Sequence, residues 1–128
     1  MVDRILLKDM AFYGHHGVLP EERERGQPFF VDVEVLCDLH RAGHTDRLED
    51  TLDYREVYRR VREVVEGPSR ELLEAVAESI AHRLLELDRV QEVHVEVRKP
   101  HVRLGGALGY AAVRIARSRI PRPGPSAV

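Results

Sequence analysis

Residues 28–39 read Pro28-Phe29-Phe30-Val31-Asp32-Val33-Glu34-Val35-Leu36-Cys37-Asp38-Leu39, and this stretch decides the fold. Val31, Val33, Val35, Cys37 and Leu39 fall on one face of an extended chain, and Asp32, Glu34 and Asp38 on the other. A period of two with one apolar and one polar face predicts an antiparallel strand with one side in water. Upstream, residues 4–13 (RILLKDMAFY) read as a first strand and Tyr13 to Gly17 as a turn, so the two strands suggest a hairpin. The charged stretch from Leu19 to Gln27 reads as a loop. Downstream, Val93, Val95 and Val97 alternate with His94, Glu96 and Arg98 in a third strand that Lys99-Pro100 ends. A glycine-rich loop over 101–109 leads to a fourth strand over 110–119, with Ala111, Val113 and Ile115 on one face.

The middle of the chain switches to a helical period. After a polar connection over 41–52, Asp53 with Glu56 three residues on predicts a capped helix start of the capping-box kind. Val57, Val61, Val64 and Val65 form its apolar stripe, and Glu56–Arg60 and Arg59–Glu63 its exposed i,i+4 pairs. Gly67-Pro68 ends it. Ser69 reads as the cap of a second helix, whose stripe runs through Leu72, Leu73, Val76, Ala77, Ile80, Ala81, Leu84 and Leu85. The order strand-strand-helix-helix-strand-strand predicts an α+β fold, an antiparallel four-stranded sheet with two helices on one face. Such a sheet has two open edges, and self-association is the simplest way to cover them.

The 128 residues are enough for one domain, read here as 1–119, with the tail 120–128 expected to be mobile because three prolines and a glycine leave little to pack. A net charge of −2, with acids and bases interspersed, gives no pull toward nucleic acid or anionic lipid. No apolar run is long enough to span a membrane, and the start lacks the apolar stretch of a signal peptide, so a cytoplasmic protein is expected. The lone Cys37 excludes an internal disulfide and a multi-cysteine metal site. The absence of asparagine and the many charges fit a thermophile-like composition. Lysine chemistry has two candidates, Lys8 inside the first strand and Lys99 at a strand end.

Lys99 stands where a rigid scaffold presents a side chain to a loop, and partial burial there would favour a neutral amine usable as a base, although a solvated surface lysine fits the position too. Glu74, near the start of the second helix, falls at the shoulder of its apolar stripe. There the helix dipole keeps a carboxylate ionised and able to dock a cation-like group, or it serves the dipole alone. Tyr54 opens the first helix on the side of Val57 and Val61, as a core tyrosine or a reactive hydroxyl. Glu22 belongs to a charge run that reads equally as solvated surface. His15-His16 and His40/His44 lack the context of a metal site, and no metal is expected. Gly105-Gly106-Ala107-Leu108-Gly109 precedes a strand rather than a helix, so it is not a dinucleotide or phosphate loop.

Taken together, these stretches resemble dihydroneopterin aldolases. The matching motifs run in order: Phe12-Tyr13-Gly14-His15-His16-Gly17, Glu22 with Gly26-Gln27, Asp32-Val33, Ala42-Gly43-His44-Thr45-Asp46 and Thr51-Leu52-Asp53-Tyr54. They continue through Val65-Glu66-Gly67, Leu72-Leu73-Glu74, Ala77-Glu78-Ser79-Ile80-Ala81 and Val97-Arg98-Lys99-Pro100, over residues 3 to 117. The resemblance implies a tunnelling fold whose subunits join sheet edges into a barrel, as a homo-octamer of two stacked rings with active sites at subunit interfaces. It implies retro-aldol cleavage of a pterin, 7,8-dihydroneopterin, to 6-hydroxymethyl-7,8-dihydropterin and glycolaldehyde, with no cofactor, no metal and no Schiff base. By the same resemblance Lys99 is the general acid/base and Tyr54 a catalytic residue supplied by a neighbouring subunit. Glu74 and the Leu73 backbone anchor the pterin, and Glu22 sets the lysine end of the pocket. Epimerisation at the 2′ carbon would use the same intermediate. An epimerase of the triphosphate ester and a non-catalytic pterin-binding protein are the alternatives. The segment His101-Val102-Arg103-Leu104-Gly105-Gly106 lacks the prolines that the family often carries there.

Overall fold

The computed structural model describes residues 3–119, and the tail expected to be mobile lies outside them. Strands β1 (Asp3–Gly14), β2 (Gln27–Cys37), β3 (Glu92–Lys99) and β4 (Ala111–Ser118) form one antiparallel sheet in the order β1-β2-β3-β4. The register sets Val31 opposite Val97, Val33 opposite Val95 and Val35 opposite Val93. This valine ladder is fully buried, as are Val57, Val61 and Val65 of helix α3 (Tyr54–Val65) and Val76, Ile80 and Leu84 of α4 (Leu73–Leu85). Each such aliphatic side chain contributes about 1.5–3 kcal/mol on burial, so the ladder and the two stripes form most of the core, which Phe12, Phe29, Leu52 and Val90 complete. The four strands and the two long helices follow one another along the chain as read from the sequence.

The opposite face of the sheet is ionic. Arg98 reaches Asp9 at 2.6 Å and Asp32 and Glu96 at 2.7 Å each, and Glu96 also accepts from Arg114. These carboxylates, Asp32 above all, hold the guanidinium firmly protonated, its pKa raised above the ordinary value despite burial. Arg4 and Lys8 both pair with Glu34, so Lys8 is committed to the sheet surface. A bulge at Lys8-Asp9 lets the Asp9 amide donate to Asp32 Oδ1 at 2.7 Å.

Five local expectations differ from the structure. The stretch 19–27 is not all loop: Pro20–Arg25 is a short helix, α1, with Pro20 in its first turn, Glu21 and Glu22 at its positive end and Arg23 and Arg25 at its negative end. It buries no residue, so no hydrophobic stripe announced it. The connection 41–52 likewise holds a helix, α2 (His40–Thr45), and a 3₁₀ turn, Leu48–Asp50. β2 ends at Cys37, and Leu39 instead stands at the N-terminus of α2, still packed against the core. Asp53 does cap α3, accepting from the Arg55 amide at 3.0 Å, but Glu56 turns to Arg59 and Arg60 instead of completing a capping box. Helix α4 starts at Leu73 without a side-chain cap, because Ser69 donates to the His15 carbonyl and ties the α3–α4 connection to β1.

Candidate functional site

Lys99 is the last residue of β3 and has the same parity as Val93, Val95 and Val97. It therefore leaves the sheet on the core side, at the core's edge, where its side chain is 16 % exposed and ion-pairs with Glu22. The short helix α1 brings Glu22 there. Its carboxylate also accepts from the Gln27 amide at 3.1 Å and the Leu19 backbone N–H at 3.2 Å. Burial alone would raise the Glu22 pKa, but the hydrogen bonds from Lys99, Leu19 and Gln27 outweigh it and hold the carboxyl below the usual range.

Two glycines make this packing possible. A Cβ on Gly17 would sit 2.5 Å from the Glu22 carboxyl carbon. Gly26 takes a left-handed φ of 72° between α1 and β2, and a Cβ there would meet Tyr13 at 2.5 Å. With its nitrogen turned to Glu22, the Gln27 side-chain oxygen is buried and has no hydrogen-bond partner, alone in this among the buried side-chain polar atoms of the described residues. Such an acceptor is costly unless a donor arrives from outside the chain. Lys99, Glu22 and Gln27 line one cavity of about 510 Å³, a size suited to a small ligand.

A buried histidine ties this corner to helix α4. His16 accepts from the Arg70 amide at 3.1 Å through Nδ1, so its Nε2 carries the proton and donates to the Val65 carbonyl at 2.7 Å. Burial lowers its pKa and keeps it neutral. The Gly17 amide adds a bond to the Arg70 carbonyl at 2.9 Å, and Arg23 donates to the Gly17 and Val18 carbonyls while facing Glu71. The approach to α4 is thus laced to the α1 corner. Leu73 is half-buried and Glu74 exposed in the first turn of α4, where backbone amides lack intrahelical acceptors. Glu74 makes no hydrogen bond or ion pair within the described residues.

Tyr54 is elsewhere. It opens α3 and is 61 % exposed, so it is not a core tyrosine. It lines a groove of about 820 Å³ with Leu39, Leu48, Thr51 and Leu52, which shares no lining residue with the Lys99 cavity. One chain therefore brings Glu22 and Lys99 together and ties the Leu73–Glu74 turn to them, but leaves Tyr54 in a separate groove. Sequence reasoning gave no role to Gln27, and its signal was slight: one of two glutamines, directly after a glycine. Among the described residues no three His, Cys, Asp or Glu side chains are grouped as metal ligands. Cys37 is buried, which raises its pKa and disfavours a thiolate.

Comparison with known proteins converges on one family. The family model of dihydroneopterin aldolase (FolB) matches residues 5–116. Dihydroneopterin aldolase 1 of Arabidopsis thaliana is 43% identical over 119 residues, covering 91% of this chain and 82% of the plant protein. The dihydroneopterin aldolase of Bacillus subtilis (strain 168) is 40% identical over 119 residues, covering 92% and 99%. The crystal structure of the E. coli dihydroneopterin aldolase in complex with neopterin superposes with a TM-score of 0.84 at 27% identity, covering 91% of this chain and 99% of that one.

Proposed function

This chain belongs to the dihydroneopterin aldolase family and is an aldehyde-lyase of that kind, and we propose that its active site is completed between two copies. One copy supplies Lys99, Glu22, Gln27 and the Leu73–Glu74 turn, and its neighbour supplies Tyr54. The observation that carries this reading is the pairing of Lys99 with Glu22 in a 510 Å³ cavity that Tyr54 does not line.

The chemistry fits these residue types. The amino-pyrimidinone edge of a pterin presents two parallel N–H donors, and the exposed Glu74 carboxylate can accept both, with the Leu73 backbone alongside. Breaking the bond between the first and second side-chain carbons leaves an electron pair that the ring's own C=N absorbs as an enamine. The residues then need only move protons. Lys99, oriented by Glu22, takes the proton of the second-carbon hydroxyl as that carbon becomes the aldehyde. Tyr54 delivers a proton to the first carbon. The unpartnered Gln27 oxygen receives a side-chain hydroxyl. Re-addition of the aldehyde to its other face gives 2′ epimerisation at the same site.

Assembly follows from the same logic. β1 and β4 are the outer strands of the described sheet, and joining β1 of one copy to β4 of the next closes a ring. Two such rings stacked give the octamer. We assign the protein to the cytoplasm; no helix among the described residues is long and apolar enough to cross a membrane.

The test is release of glycolaldehyde from 7,8-dihydroneopterin by purified protein, with and without a chelator. Equal turnover in both, lost in Lys99→Ala, is expected. Turnover that Lys99→Ala retains would sink the residue assignment.

A further inference from the structure

Beyond Lys99, the same cavity is lined by Arg25 from the last turn of α1 and by His101 and Arg103 from the segment after β3. Arginine in this molecule is otherwise almost fully occupied. Among the described residues, Arg25, Arg70 and Arg103 are the arginines whose guanidinium makes no hydrogen bond or ion pair, and two of these three line this one cavity. Arg23, two residues from Arg25, is by contrast held by the Gly17 and Val18 carbonyls and Glu71. The His101 ring has no partner among the described residues either. The cavity lining carries three cations (Arg25, Lys99, Arg103) against two carboxylates (Glu21, Glu22), and Glu22 is already matched to Lys99.

Unpaired guanidinium groups brought to one cavity from two segments of the chain form a site for a multiply charged oxyanion, for which arginine's planar fork is suited. Their position fixes which one. With the cleaved bond at Lys99, as read above, the terminal carbon of the substrate's side chain is one bond from the reacting carbons, in the cavity that Arg25, His101 and Arg103 also line. We propose that Arg25, His101 and Arg103 form a phosphate subsite, so that this enzyme accepts the substrate with its terminal hydroxyl esterified by phosphate as well as free. The proposal rests on the site reading given above. In the reaction the bond between the first and second side-chain carbons breaks. The second-carbon hydroxyl proton leaves to Lys99, and the first carbon gains one proton. The phosphate departs on the two-carbon aldehyde as glycolaldehyde phosphate, with no other reactant consumed.

The experiment compares kcat/KM for 7,8-dihydroneopterin and its terminal monophosphate, in the wild type and in Arg25→Gln/Arg103→Gln. Both arginines are exposed and unpaired, so folding should be preserved. Binding of the monophosphate is followed in parallel by pterin fluorescence. The expected result is cleavage of both substrates by the wild type. The double variant should then lose about 10- to 100-fold on the ester and less than about threefold on the free substrate, since charged hydrogen bonds have roughly that worth. Raising the salt from about 0.05 to about 0.5 M should lower the wild type's kcat/KM on the ester relative to the free substrate and leave that ratio unchanged in the double variant. Cleavage of the free substrate with rejection of the ester, or equal losses on both, overturns the subsite and leaves the aldolase reading standing. If neither substrate is cleaved, the reading of the catalytic residues fails. Ester binding weakened in the variant then still upholds the subsite, and binding unchanged by the variant overturns it.

Discussion

The Lys99 corner and the Tyr54 groove are built on opposite plans. At the Lys99 corner the lysine and its carboxylate are held within one chain: Glu22 holds Lys99, Gln27 and the Leu19 amide, Gly17 and Gly26 clear the space, and His16 bolts the corner to the start of α4. At the groove, Tyr54 stands in water with Leu48, each more than half exposed. The first region is rigid before substrate arrives. The second is a surface that makes sense once covered. On the reading proposed above, a 128-residue chain preorganises the Lys99 half of its site by itself and takes Tyr54 from a second copy.

The largest expected break in this contrast is Lys99→Ala. Removing a positioned proton carrier should lower kcat by about 10²–10⁴-fold, read from glycolaldehyde release, with little change in pterin binding. Tyr54→Phe should lower kcat by about 10²-fold while shifting the unfolding free energy by less than about 0.5 kcal/mol, because the residue is exposed. Mixing and reassembling these two inactive variants sharpens the point. About a quarter of the wild-type activity should return, since a shared pocket pairs an intact lysine with an intact neighbouring tyrosine in that fraction of sites. No recovery, with subunit exchange verified by mass, would place both residues in one chain's pocket.

His16→Gln should cost roughly 2–3 kcal/mol in urea unfolding, because the Arg70 amide and Val65 carbonyl lose a well-placed partner in the interior. It should also change the pH response. The His16 pKa is lowered from 6.5 in the folded chain, so below that pH the unfolded chain takes up the proton that the folded one resists. Stability from this residue is present above about pH 6.5 and lost as the pH falls, and the variant should show a flatter profile there. The smallest effect belongs to Glu22. Its carboxyl is held below 4.5 in the folded chain, so it adds stability above that pH and loses it as the pH falls further. Glu22→Gln should remove this acid-side dependence, at a cost of about 1 kcal/mol at neutral pH.

What was legible beforehand follows from burial. The strands and long helices could be read because their apolar residues recur at the period of the element, and these are the residues found buried. Helices α1 and α2 bury none of theirs and left no such trace. The site divides in the same way. Glu22, Tyr54, Leu73, Glu74 and Lys99 could be named from ordered motifs. Gln27 stood in a matching motif but received no role, because its distinction is an oxygen with no partner, a property that exists only once Glu22 has claimed its nitrogen.

The sequence by itself determined the apolar faces of the strands, the two helix stripes and the order of these elements along the chain, since alternation and helical spacing are local. Only the tertiary structure decided which charges are spent and which are left over. Arg23 and Arg25 look alike along the chain, yet one is consumed by carbonyls and Glu71 and the other stands unpaired in the Lys99 cavity. Whether a charged group is free depends on how the folded chain turns near and distant groups toward it, here the carbonyls before α1 and Glu71 from the α3–α4 connection, and no local pattern in the chain records that pairing.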